Sequence, residues 1–188
     1  YFTDTFGASL KIAGICAGIF GMINIFARPL GGIVADKVGK KYGFSGKNLL
    51  LALLLIVEGV GVIFFGMTNE LGVAIFLMFL FGMSLKMANG ATYSLVPFIN
   101  PKAVGSVAGI VGAGGNIGAM LIAFLFKAKA VKMTKDVIDE AGVSQTKDLI
   151  DYTNAFFILG IIILITGVVV LAVKLAVKDV KKPQVVLA

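Results

Sequence analysis

Apolar residues run through this chain in five long blocks, and most polar residues fall in the gaps between them. The blocks extend from about Ser9 to Ala35, Asn48 to Met67, Leu71 to Ile99, Ala103 to Phe126 and Thr153 to Val173. A helix that crosses a bilayer needs about 20 mostly apolar residues, and each block supplies them. The pattern predicts an all-α fold, a polytopic membrane bundle of five transmembrane helices over residues 9–175. Residues 1–8 read as a polar lead-in and residues 176–188 as a tail. The segment from Lys127 to Asp151 is polar, and its stretch "KDVIDEAGVSQTKDL" reads as a short surface helix.

Composition strengthens this picture. With 59% hydrophobic and 14% charged residues, a soluble domain of 188 residues could not hide its apolar surface. The chain opens at Tyr1 with no signal-peptide pattern and reads as part of a longer one. Five spans put the two ends on opposite sides. Lys37, Lys40, Lys41 and Lys47 follow the first span, Lys102 follows the third, and Lys174, Lys178, Lys181 and Lys182 follow the fifth. On the opposite side, five lysines between Lys127 and Asp151 are balanced by five acids. The lysine bias makes the first side cytoplasmic, so the C-terminus is expected inside and the protein in the plasma (inner) membrane. The net charge of +7 is therefore a topology signal, and no nucleic-acid partner is expected.

Small residues four apart, such as Gly14 and Gly18, Gly105 and Gly109, and Gly114 and Gly118, predict close helix packing. Cys16 reads as a small core residue, and a single cysteine gives no disulfide framework. Histidine is absent, and no nucleophile–base pair or metal-ligand cluster is visible. Neither an enzyme nor a cofactor is expected. The glycine-rich "GIVGAGGNIGA" misses the dinucleotide-binding spacing and follows no strand.

Candidate chemistry lies in the polar residues within the spans. Arg28, Glu58 and Lys86 are ionisable, and a charge at the bilayer centre costs about 2.5–3.5 kcal/mol even on a lenient scale. The first helix leaves the membrane near Asp36, which puts Arg28 about 12 Å inside the boundary at 1.5 Å per residue. That is close to the midplane and favours an interior position facing a substrate. Asn24 lies one turn earlier on the same face. Pro29 removes a backbone donor beside Arg28 and is expected to kink the helix. A guanidinium is planar, forked and permanently charged, so it suits a planar oxyanion such as nitrate or a carboxylate. On the third span, Lys86, Asn89, Thr92 and Tyr93 carry more polarity than lipid contact tolerates. Two readings of Lys86 stand open: a second positive group near the pathway, or an ion-pair partner of Glu58. Asn116 projects from a helix face nearly stripped of side chains.

Together these motifs resemble one family. "GGIVADKVGKK" is similar to the cytoplasmic loop signature of the major facilitator superfamily, through Gly32, Asp36, Lys37, Gly39 and Lys40. "FARPLGG", "NGATYSLVPF" and "GIVGAGGNIGA", in this order, resemble the nitrate/nitrite porter family, whose second nitrate signature is similar to "GAGGN" at Gly112–Asn116. The resemblance implies helices 8–12 of a twelve-helix secondary transporter, within the C-terminal six-helix bundle. Residues 1–8 would be the extracytoplasmic loop from helix 7, and the N-terminal half would lie outside the chain.

It also implies that Arg28 binds nitrate or nitrite together with a second arginine from helix 2. Gly112, Gly114, Gly115 and Asn116 would stand beside the pathway. Gly32, Asp36, Lys37, Gly39 and Lys40 would form a gate, with Asp36 against the positive end of the helix starting near Pro101. Lys86 departs from the neutral residue expected there. A transporter for another small anion, such as a carboxylate, and an accessory half-transporter or sensor are the alternatives. Exchange and proton-coupled symport both stay open.

Overall fold

The computed structural model describes residues 1–138 and 144–176. The predicted tail at 176–188 therefore lies almost wholly outside the described residues. In chain order come α1 (Phe2–Phe6), α2 (Leu10–Met67), α3 (Leu71–Ile99), α4 (Val104–Lys129), strands β1 (Val131–Ile138) and β2 (Ser144–Asp151), and α5 (Thr153–Ala176).

The hydroxyl of Ser9 caps α2, accepting the Ile12 N–H at 3.4 Å. A straight helix of 58 residues would be about 87 Å long, nearly three times the apolar core of a bilayer. It is not straight. Gly43 takes φ 65°, ψ −157° inside it, a conformation open to glycine and strained for other residues. Two arms, 10–42 and 44–67, fold back on each other there. Cys16 and Phe65 meet in one cluster with Ala74 and Met78 of α3. Ala35 and Leu51 meet in another with Ala88, Ala91 and Leu95. The two arms are therefore antiparallel, and the five predicted spans appear as two arms plus α3, α4 and α5. The predicted loop around residues 36–47 is helical except at Gly43; Gly39 and Gly46 stay helical, packed against Lys47 and against Tyr42 and Val38.

The first arm and α3 run side by side in the same direction: Gly82 of α3 faces Phe20, and Gly90 faces Arg28. The second arm packs antiparallel on α5, where a methyl group at Gly59 would come within 3.0 Å of the Gly160 carbonyl. The buried Asn48 amide adds a hydrogen bond to the Val170 carbonyl at 3.2 Å. Helix α4 is attached lightly to α3 and α5 and buries no residue.

Three expectations need correction. Val131–Ile138 and Ser144–Asp151 pair as antiparallel strands, Val131 with Asp151 through Ile138 with Ser144, rather than forming a surface helix. Val131 and Met133 alternate with Lys132 and Thr134, a period-two pattern with β-branched residues that favours a strand. Tyr1–Ala8 is more than a polar lead-in, since α1 ends on Gly7 at φ 63°. Tyr1 stacks with Phe65 and Phe156 at 4.8 and 5.1 Å between ring centroids, and Thr5 donates to the Ile150 carbonyl at 2.8 Å. Finally, a methyl group at Gly14, Gly18, Gly105, Gly109, Gly114 or Gly118 would meet nothing within 4 Å. The close contacts are made instead by Gly31, Gly59, Gly66, Gly90 and Gly160, which face neighbouring helices of this chain.

Candidate functional site

Where the first arm of α2 passes α3, the two backbones touch. A methyl group on Gly90 would collide with the Arg28 carbonyl and stand 2.9 Å from the Gly32 nitrogen. One on Gly31 would collide with the Met87 carbonyl. This approach, possible only without side chains, brings Arg28 beside Tyr93. The guanidinium carbon lies 5.0 Å from the centre of the Tyr93 ring, a cation–π contact.

An open cavity of about 470 Å³ lies at this point, lined by Asn24, Ile25, Arg28, Pro29, Gly90 and Tyr93. Among the described residues Arg28 forms no ion pair, so its forked donors are not consumed by a carboxylate. The α2 helix continues through Pro29 without a break. Proline still lacks the N–H that would bond the carbonyl four residues earlier. That carbonyl belongs to Ile25, another lining residue.

Arg28 and Asn24 thus meet in one cavity, as the sequence predicts. Gly112 of α4 reaches its edge: a methyl group there would lie 3.6 Å from the Tyr93 hydroxyl. Gly114, Gly115 and Asn116 are exposed and do not line the cavity, nor does Asn89. Tyr93, Gly90, Pro29 and Ile25 line it although the sequence reading did not place them in the site. The signal for Gly90 and Tyr93 was their helical spacing from Lys86, one and two turns on.

Lys86 continues the stripe toward the other end, with its ammonium 5.5 Å from the Phe20 ring centre. No ion pair joins it to Glu58 among the described residues. Glu58 is 5% exposed, and its Oε2 has no hydrogen-bond partner among the described residues.

The second cluster lies nearer the elbow. Lys47, 4% exposed, donates from Nζ to Asp36 Oδ1 at 2.7 Å and to the Ser94 carbonyl at 3.0 Å. The same ammonium sits 4.6 Å from the Phe98 ring centre. Asp36 therefore pairs with Lys47 on the second arm rather than with the helix start near Pro101. The signal missed was the 11-residue separation across a helical hairpin, which a loop reading does not provide. Gly39 has a steric role here, because a methyl group would collide with the Lys47 side chain. Gly32 lies in ordinary contact with the Gly90 carbonyl, at 3.8 Å for an added methyl. Lys37 and Lys40 are exposed.

Comparison with known proteins identifies the family. The model of the MFS/sugar transport protein family matches residues 1–185. High affinity nitrate transporter 2.7 of Arabidopsis thaliana is 38% identical over 125 residues, 66% of this chain and 25% of that protein. High affinity nitrate transporter 2.5 of the same plant is 39% identical over 126 residues, 67% of this chain and 25% of that protein. Nitrate transporter 2.2 of Chlamydomonas reinhardtii is 37% identical over 122 residues, 64% of this chain and 24% of that protein. The chain thus spans about a quarter of the length of these relatives, and no solved structure matches. With apolar helices long enough to cross a membrane, a family match over nearly its whole length and the motif order of its helices, this chain belongs to the major facilitator superfamily, in the nitrate/nitrite porter family.

Proposed function

We propose that the chain forms helices 8–12 of a secondary transporter that moves nitrate and/or nitrite by alternating access across the plasma (inner) membrane, with its C-terminus in the cytoplasm. The carrying observation is Arg28, a fixed cation in an open cavity, held on Tyr93 and without an ion-pair partner among the described residues. A planar monovalent oxyanion fits forked guanidinium donors, and Asn24 adds a neutral donor on the same wall. The names of the relatives favour nitrate over a carboxylate.

The cavity is one wall of the site. Gly14, Gly18, Gly105, Gly109, Gly114 and Gly118, where a methyl group would meet nothing within 4 Å among the described residues, and the exposed Asn116 give the chain open small-residue faces. An N-terminal half of the transporter is the natural cover, since small residues let helices approach closely. Asn116 and its glycines would then face the pathway from α4. The Asp36–Lys47 pair braces the lysine-rich end, and its making and breaking would accompany the rocking of the two halves.

Nitrate binding and proteoliposome flux test the reading directly. Arg28→Lys keeps the charge but loses the planar fork. It is expected to cut nitrate affinity by at least about tenfold, the loss of one to two charge-assisted hydrogen bonds, while the protein still reaches the membrane. Affinity and flux like the wild type would overturn the assignment. Flux with and without a pH gradient separates exchange from proton-coupled symport.

A further inference from the structure

Lys86 and Phe20 repeat the arrangement of Arg28 and Tyr93 with the two helices exchanged. Arg28 of the first arm rests on a ring of α3. Lys86 of α3 rests on a ring of the first arm, its ammonium 5.5 Å from the Phe20 ring centre. Transport at the Arg28 cavity uses the first pair and leaves the second without a role.

Spacing keeps the pairs apart. Gly82 faces Phe20 and Gly90 faces Arg28, so the two helices run in register. Tyr93 comes 11 residues after Gly82, which puts it about 16 Å along the axis from the level of Phe20. A nitrate-sized anion is far shorter than that and cannot touch both cations. Asn24 lies between, one turn from Phe20 and one turn from Arg28, exposed and in the wall of the Arg28 cavity. On α3, Lys86, Gly90 and Tyr93 share one face by their spacing. The cations therefore occupy successive levels of one wall, with a neutral donor between them. Lys86 is on the side away from the elbow.

What Lys86 lacks is a counter-charge. It is half-buried and lies within a span, where a charge is costly. A ring face offsets part of that cost and leaves the ammonium donors without a lone pair to meet. Among the described residues no carboxylate pairs with it, and Glu58 on the second arm is buried without reaching ion-pair distance.

We propose that Lys86, with Asn24, forms a second anion site, a waiting position from which nitrate or nitrite passes along the wall to Arg28. The inference rests on the transport reading of the Arg28 cavity. A fixed charge ahead of a site raises the local concentration of anion and the rate of capture. It does not have to tighten the final binding.

Nitrate binding and flux by the full-length transporter in proteoliposomes test it. Lys86→Met is expected to leave the nitrate Kd within about twofold and to cut flux at subsaturating nitrate by at least about fivefold. Wild-type flux should fall more steeply with ionic strength than that of the variant, a difference that a purely structural lysine would not produce. Lys86→Arg keeps the charge and should keep most of the flux. Lys86→Gln gives the same reading if the Met variant does not fold. Flux like the wild type in these neutral variants would overturn the proposal. So would a loss of affinity as large as the loss of flux, which would make Lys86 part of the Arg28 site. Flux restored by adding Glu58→Gln to Lys86→Met would overturn it as well, because Lys86 would then serve only to neutralise Glu58. If Arg28→Lys loses nitrate while Lys86→Met changes nothing, the second site fails and the transport reading stands; normal nitrate binding by Arg28→Lys fails the transport reading itself.

Discussion

A methyl group at Gly90 has no room, because the Arg28 carbonyl already occupies its place. Gly90→Ala must push the first arm of α2 off α3 and carry Arg28 away from Tyr93. It is expected to lower the thermal midpoint and abolish nitrate binding together. Gly112→Ala is the contrasting case, with its methyl in ordinary contact 3.6 Å from the Tyr93 hydroxyl, and should leave stability unchanged. Glu58 makes a separate residue-level prediction. A buried acceptor without a donor costs free energy, and an apolar replacement of similar size relieves it. Glu58→Leu is expected to raise the thermal midpoint measured in detergent. A fall of several degrees would mean that Glu58 has a partner in the assembled transporter.

Arg28 and Asn24 were legible in the sequence because a charge deep in an apolar run has few uses and a one-turn spacing fixes a face. Tyr93 was not placed in the site, since a tyrosine near polar neighbours has many roles and its contact crosses between helices. Asn116 was read as a pathway residue, but its surroundings depend on what covers α4.

Among the elements, α2 carries the main lesson. Its apolar blocks predicted two spans, and both exist. Their junction was read as a loop because lysines and glycines usually mark one. Only Gly43 breaks the helix there, and this brings Asp36 and Lys47 together across the elbow. The ion pair is lopsided, with the Lys47 side chain 5% exposed and that of Asp36 61% exposed. Removing Asp36 leaves a buried ammonium with only the Ser94 carbonyl and a ring, whereas removing Lys47 leaves a carboxylate that water reaches. Asp36→Asn should therefore destabilise more than Lys47→Met. Breaking a fully buried pair costs about 3–5 kcal/mol, and the exposure of Asp36 puts this loss well below that range. Thermal unfolding of the two variants checks the order, and the reverse order would refute the asymmetry. The paired strands at 131–138 and 144–151 were misread because their charges were weighed before the period-two alternation.

For the whole molecule, the membrane fold was legible because apolar length alone settles it. What the glycine pairs pack against was not, because a sequence shows which faces are small and not which are covered. The backbone contact between Gly31, Gly90 and their neighbours has a mechanical meaning. Two parallel helices locked at carbonyl distance cannot slide or splay without losing that contact, so the first arm and α3 behave as a single strut. Arg28 and Tyr93, one on each, then keep their spacing whatever moves opposite them. Spin labels at Met22 and Phe76, both exposed, should report one narrow distance distribution with and without nitrate. A second population on adding nitrate would show that the strut bends. If it holds, this wall of the cavity is a ruler of fixed length, against which any occupant is measured alike from either side of the membrane.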